Sequence, residues 1–150
     1  MSDEKKKKRD WVFIGQRIAA VLYGIAAVLK PIKPVEDVAA ELLMAHEANR
    51  GSWIEGPSGW FAGHPWFVIA VCFVSMIALA VVYWRDRWLV RAAAAGNLVM
   101  LALFVAILHR AAPQIFVIDG AMAALAVAII LRQNRKIRER AGAEGAKAAV

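Results

Sequence analysis

Asp119 is the only carboxylate within the long apolar runs of this chain, and an acid in that setting is a functional candidate by default. Other polar side chains share the apolar runs: Arg17 in the first, Cys72 and Ser75 in the second, and Asn97 near the middle of the third. His64 and His109 fall at the ends of two runs, at the same expected depth as Asp119. Two imidazoles and a carboxylate in one layer offer the donor set for a metal ion, a proton relay or hydrogen bonds to a quinone headgroup. Their spacing is no metal-ligand motif, because each comes from a different helix end, so neither a metal nor a catalytic residue is assigned. In the plainer alternative the histidines sit among lipid headgroups and Asp119 pairs with Arg110 or a helix end. Asn97 reads as glue between helices.

The elements that must position these groups are membrane helices. The chain has 150 residues, 61% of them hydrophobic, and a mean hydropathy of +0.52, well above an ordinary soluble domain. Three runs, 64–84, 88–109 and 115–131, have the ~20 residues that cross ~30 Å of hydrocarbon. A fourth, WVFIGQRIAAVLYGIAAVL (11–29), is long enough to cross but carries Arg17. Lying along the surface is its alternative, yet Gln16, Arg17 and Tyr23 are too few to make the broad charged face of an interfacial helix.

Charge decides between them. The tail after Leu131 holds six Lys/Arg against two Glu, and the turn RDRWLVR (85–91) holds three arginines against one aspartate. Both belong on the cytoplasmic side. Residues 30–63 carry Lys30, Lys33 and Arg50 against Glu36, Asp37, Glu41, Glu47 and Glu55, the acidic part of the chain, and fall outside. The N-terminal KKKKR is cytoplasmic by the same rule, so 11–29 must cross, with Arg17 snorkelling inward. The expectation is an all-α bundle of four transmembrane helices, N-in and C-in, between a basic N-terminus (1–10) and a basic tail (134–150). The basic start followed by an apolar run resembles a signal peptide, but Lys30-Pro-Ile-Lys-Pro offers no small-residue cleavage site, and an uncleaved anchor is expected.

Within the external loop, PVEDVAAELLMAHEANRG reads as a short amphipathic helix. Pro34 stands at its start, Glu36 and Asp37 complement its dipole, and Gly51 lies beyond its end. Val35, Val38, Leu42 and Leu43 form its apolar stripe, facing the membrane surface or the mouth of the bundle. The following GSWIEGPSGWFAGHPW reads as turns, with Trp53, Trp60, Phe61 and Trp66 as an interfacial belt or, alternatively, as ligand-stacking rings.

Several classes are excluded. The +7 charge is that of cytoplasmic flanks, without the aromatic interleaving of a nucleic-acid reader. No HExxH, GxSxG or P-loop is present, and one cysteine makes no disulfide or CxxC. The first span lacks the deep carboxylate of a proton-coupled four-helix exporter, and the histidines lie too near the span ends for a haem anchor. Small-residue runs AAAAG (92–96) and GAMAALAVA (120–128) predict close helix contact, within the bundle or between copies in a homo-oligomer.

Arg17, Gly24 and Lys30 form an R-x6-G-x5-K pattern. A long loop ending in His64-Pro65, an Arg-bounded turn into RWLVRAAAAGNLVMLALFVAI, a last span and a basic tail follow it. Over residues 11–133 the chain resembles the DoxX/DoxD-like superfamily of small four-helix bacterial membrane proteins. Many members carry a Glu in the second span, where this chain reads VCFVSMIALAVVYW. The resemblance implies a multi-pass protein of the bacterial cytoplasmic membrane that serves as an accessory subunit of a redox or enzyme-maturation system. It also implies a redox partner subunit and quinone as a cofactor; the residues themselves name no cofactor. Two other expectations stand beside it: a holin-like pore, and a small carrier using Asp119 and Asn97. Membrane lipid is the partner common to all three.

Overall fold

A computed structural model describes residues 10–85 and 89–148, with side chains to residue 142. The basic cluster Lys5–Arg9, residues 86–88 of the RDRWLVR turn and the last two residues lie outside the described residues. Six α-helices and one 3-10 turn make up the described chain, and four of the helices are long and apolar enough to cross a membrane.

The first helix, α1 (Trp11–Leu29), starts where Asp10 accepts a hydrogen bond from the Phe13 N–H at 3.1 Å, an N-cap that satisfies one of the orphan donors of the first turn. It tightens into the 3-10 turn Lys30–Ile32, where Pro31 removes a donor and ends the α-helical ladder. Helix α2 (Val35–Ala48) follows Pro34 and opens with Glu36 and Asp37, and Gly51, at φ 72°, supplies the left-handed backbone that turns the chain back.

The segment expected as turns instead forms α3 (Glu55–Gly63). Pro57 sits in its first turn, where the missing N–H would have had no partner in any case, so proline does not break it. His64 leaves helical geometry at φ −131°, and Pro65 opens α4 (Pro65–Arg85) at the position that proline favours. Helix α5 (Val90–Leu108) and α6 (Ile115–Ala148) complete the chain. At 34 residues α6 rises ~51 Å, so the stretch expected as a separate tail after residue 133 continues the same helix beyond the bilayer.

Around the bundle α1 packs closely against α4, and α5 against α6; α1 and α6 meet less closely, as do α4 and α5 although they are consecutive. Ala19, Ala20, Ala94 and Ala126 are almost fully enclosed, letting the backbones approach, while Tyr23, Leu79, Tyr83, Val90 and Ile129 fill the remaining space. A Cβ at Gly24 would meet the Ala80 methyl at 3.9 Å, ordinary contact, whereas one at Gly15 would press on Leu125 at 3.0 Å. The expected close contact at AAAAG holds for Ala94, with Ala93 packed beside it, whereas Gly96 faces open space. The outward faces are apolar: Val117 is 77% and Val99 62% exposed. So much apolar surface is untenable in water and natural against lipid tails.

Candidate functional site

Polar side chains inside the four-helix bundle gather at three depths. At the α1 N-terminal end, Gln16 is fully buried and donates from Nε2 to the Tyr83 carbonyl at 2.7 Å. Arg132 of α6 donates to Gln16 Oε1 at 3.2 Å and, through Nε, to Asp10 Oδ2 at 2.6 Å. Its guanidinium also lies over the Phe13 ring. Arg17, one residue from Gln16, shares the Phe13 ring with Arg132 of this knot and also lies over the Trp84 ring, 4.9 and 4.6 Å from the two centroids.

Burial pushes the Asp10 carboxyl upward, but the hydrogen bond and charge of Arg132, with the Phe13 N–H and Lys136, bring it below its usual 3.8. A carboxylate depressed in the fold stabilises above its unfolded value and loses that contribution as pH falls through the folded one. The Asp10→Asn variant should therefore melt slightly below wild type at neutral pH, and the two melting temperatures should converge in acid below the ordinary carboxylate range. The difference is small because the Asp10 side chain is 42% exposed.

At mid-depth the Tyr23 hydroxyl donates to Asn97 Oδ1 at 2.8 Å, tying α1 to α5. The Tyr83 ring meets Tyr23 edge-on at 6.1 Å. Among the described residues, neither the Tyr83 hydroxyl nor Asn97 Nδ2 has a hydrogen-bond partner.

At the opposite end α2 and α3 cover the bundle's mouth. Asn49, fully buried, donates to the Ile107 carbonyl at 2.7 Å and so pins the end of α2 to α5. His46 Nδ1 lies 3.3 Å from Ser58 Oγ, and a side chain at Gly59 would strike the His46 ring. Beneath this cover is a cavity of about 330 Å³, walled by apolar side chains of α2 through α6 and by Cys72, with Lys30, Glu41 and Asp119 as its charged lining. Val38 and Leu42 of the expected α2 stripe face it, whereas Leu43 is exposed. Phe61 lines it too, while Trp53 and Trp66 face outward.

The structure therefore separates the three groups expected in one layer. His64 Nδ1 donates to the Trp60 carbonyl at 2.8 Å and stacks on that indole, and His109 Nδ1 donates to the Ala106 carbonyl at 2.9 Å. Each imidazole terminates its own helix, and only Asp119 enters the cavity. Arg110 reaches the Ala48 carbonyl rather than Asp119. Among the described residues no three metal-ligating side chains converge. The cavity offers one cationic donor, Lys30, and acceptors in Asp119 and Glu41, a poor match to the two carbonyl acceptors of a quinone.

Gln16, Arg132, Tyr23, Tyr83, Asn49 and His46 were not singled out by the sequence as site residues. Gln16 stood beside the more conspicuous Arg17, and the Arg132 partner was hidden by 116 residues of separation. For Asn49 the available signal was its place between the end of a predicted helix and Gly51, a position that asks for a side chain able to bond.

No solved structure matches the chain. A curated protein of Serratia sp. (strain ATCC 39006), "Oxidoreductase PigB", is 30% identical over 126 residues, which make up 83% of this chain and 19% of that protein. The chain thus spans about a fifth of the length of the relative it matches. A family model covers residues 13–149, nearly everything described above, and the chain belongs to that family of unknown function, DUF6041.

Proposed function

We propose that this chain is the membrane-embedded, non-catalytic part of a redox system, a DoxX-like accessory subunit in the bacterial cytoplasmic membrane with both termini inside. The observation that carries the reading is the likeness to one small portion of a much larger oxidoreductase. In that relative most of the length lies outside the matched portion. The Gln16 amide and the Tyr23 hydroxyl bond across the bundle, and His64 and His109 bond to their own helix ends, in the manner of structure rather than of reaction.

Mild-detergent purification of the tagged chain from its native membrane is the test. A redox protein should co-purify in stoichiometric amount and bring the absorbance of its cofactor. Recovery of the chain alone would remove the accessory role.

The orientation follows from Lys and Arg at the inner flanks and the acidic loop outside. A reporter active only outside the cytoplasm, fused after Arg50, should be active. Activity of a cytoplasm-specific reporter at that point instead would overturn the four-crossing topology.

A further inference from the structure

The cavity beneath α2 adjoins a second hollow at its lower end. Val71, Met100 and Leu103 line the cavity and also line this second hollow, of about 400 Å³, between α4 and α5, one of the two looser seams of the bundle. Each volume is of the size that holds a small organic ligand. The second hollow runs beside Gly96, where no side chain fills the space, and reaches Ser75 and Asn97. From Leu108 in the cavity to Asn97 in the seam is ~16 Å along α5. Apart from Ser75 and Asn97 the walls of the seam are apolar, and charge enters only at the upper end.

There the charges are arranged in a particular way. Glu41 is paired with Lys33 at 2.5 Å. Lys30 and Asp119 make no ion pair among the described residues, and Asp119 Oδ2 is buried without a hydrogen-bond partner. Leaving such an oxygen unpaired in an apolar surround is costly, and a donor placed there recovers the loss. A charged ligand would upset the balance of one cation against one anion. A neutral dipole with an N–H or O–H for Asp119 and an acceptor for Lys30 would satisfy both.

We infer that the joined cavity and seam bind a neutral amphiphile dissolved in the membrane, its dipolar head between Lys30 and Asp119 and its apolar body along the α4–α5 seam. The seam opens toward lipid, so the ligand enters sideways without crossing water. This rests on the membrane setting alone and not on the redox assignment; co-purification of a redox partner and ligand binding succeed or fail separately.

The test uses the full chain in phosphatidylcholine nanodiscs and dodecanamide carrying a mid-chain diazirine, with adducts mapped by mass spectrometry after irradiation. Adducts should concentrate on Val71, Met100 and Leu103, and unlabelled dodecanamide should compete where dodecane does not. Lys30→Met and Asp119→Leu, which put apolar groups against apolar walls, should each weaken the competed labelling about tenfold, the worth of one charge-assisted hydrogen bond. Equal competition by dodecane would assign the seam to plain acyl chains and overturn the proposal. So would adducts spread over lipid-facing residues such as Val117, or labelling unchanged in both variants. Should either variant fail to fold, the wild-type comparison of dodecanamide with dodecane still decides.

Discussion

Replacing Arg132 with methionine is expected to destabilise the bundle by about 2–3 kcal/mol, read as a lower thermal midpoint in detergent. The side chain is 7% exposed and bonds both Asp10 and Gln16. Losing one partner of a fully buried ion pair costs ~3–5 kcal/mol. Here Asp10 can turn to water, which lowers the figure, while Gln16 Oε1 stays buried without Arg132, which keeps it substantial. Methionine fills much the same volume, so the loss reports the polar contacts. Arg132→Lys should recover only part of it, since an ammonium cannot span two acceptors with a rigid fork. Asp10→Asn should cost least, because asparagine still caps the Phe13 N–H. A midpoint unchanged in Arg132→Met would show that the knot is not what holds α6 to α1.

Asn49→Ala has the second large effect, and a local one. The fully buried amide is the hydrogen bond that pins the α2 end to the Ile107 carbonyl. Its removal leaves that carbonyl enclosed, at a cost of about 2 kcal/mol. The cost should appear as opening of the cover rather than of the bundle. Amides of α2 should exchange at least ~10-fold faster while those of α4 and α5 keep their protection. Faster exchange throughout would mean that the cover and bundle unfold together. Asn49→Asp, similar in size but without the donor and with a charge, should exchange faster still.

Three of the four long apolar helices were legible because length and hydropathy report directly on the solvent a helix must face, and α1 needed the charge of the other segments as well. For α1 the sequence expectation and the structure share the same limits, 11–29, although Arg17 lies within them. Two elements were less legible, each for a physical reason. Residues 55–63 are rich in glycine and proline, yet the proline falls where a helix tolerates it and packing supplies the rest. Beyond Leu131 the change from apolar to charged residues marks the membrane boundary but not the end of α6, because Arg, Lys, Glu, Gln and Ala favour helix in water as well.

The site was harder to read than the fold. Hydropathy ranks residues by type, and so drew attention to Arg17, His64 and His109. The structure places Arg17 on aromatic faces and each histidine on its own helix end. Partnership across the bundle is a property of three-dimensional register, as Gln16 with Tyr83 and Tyr23 with Asn97 show. Lys30 and Asp119 were visible as isolated residues, and their shared cavity emerges only once α2 lies over the mouth.

Three buried hydrogen bonds join spanning helices to α1: to α4 from Gln16, to α6 through Gln16, and to α5 from Tyr23. During synthesis α1 emerges before α4, α5 and α6, and its amide and phenol are already in place before any of these three reaches the membrane. Each later helix can be oriented against a template laid down ahead of it, rather than by search among equals. The seam between α4 and α5, spanned by no such bond among the described residues, is then held by apolar contact alone and can open without breaking a buried hydrogen bond.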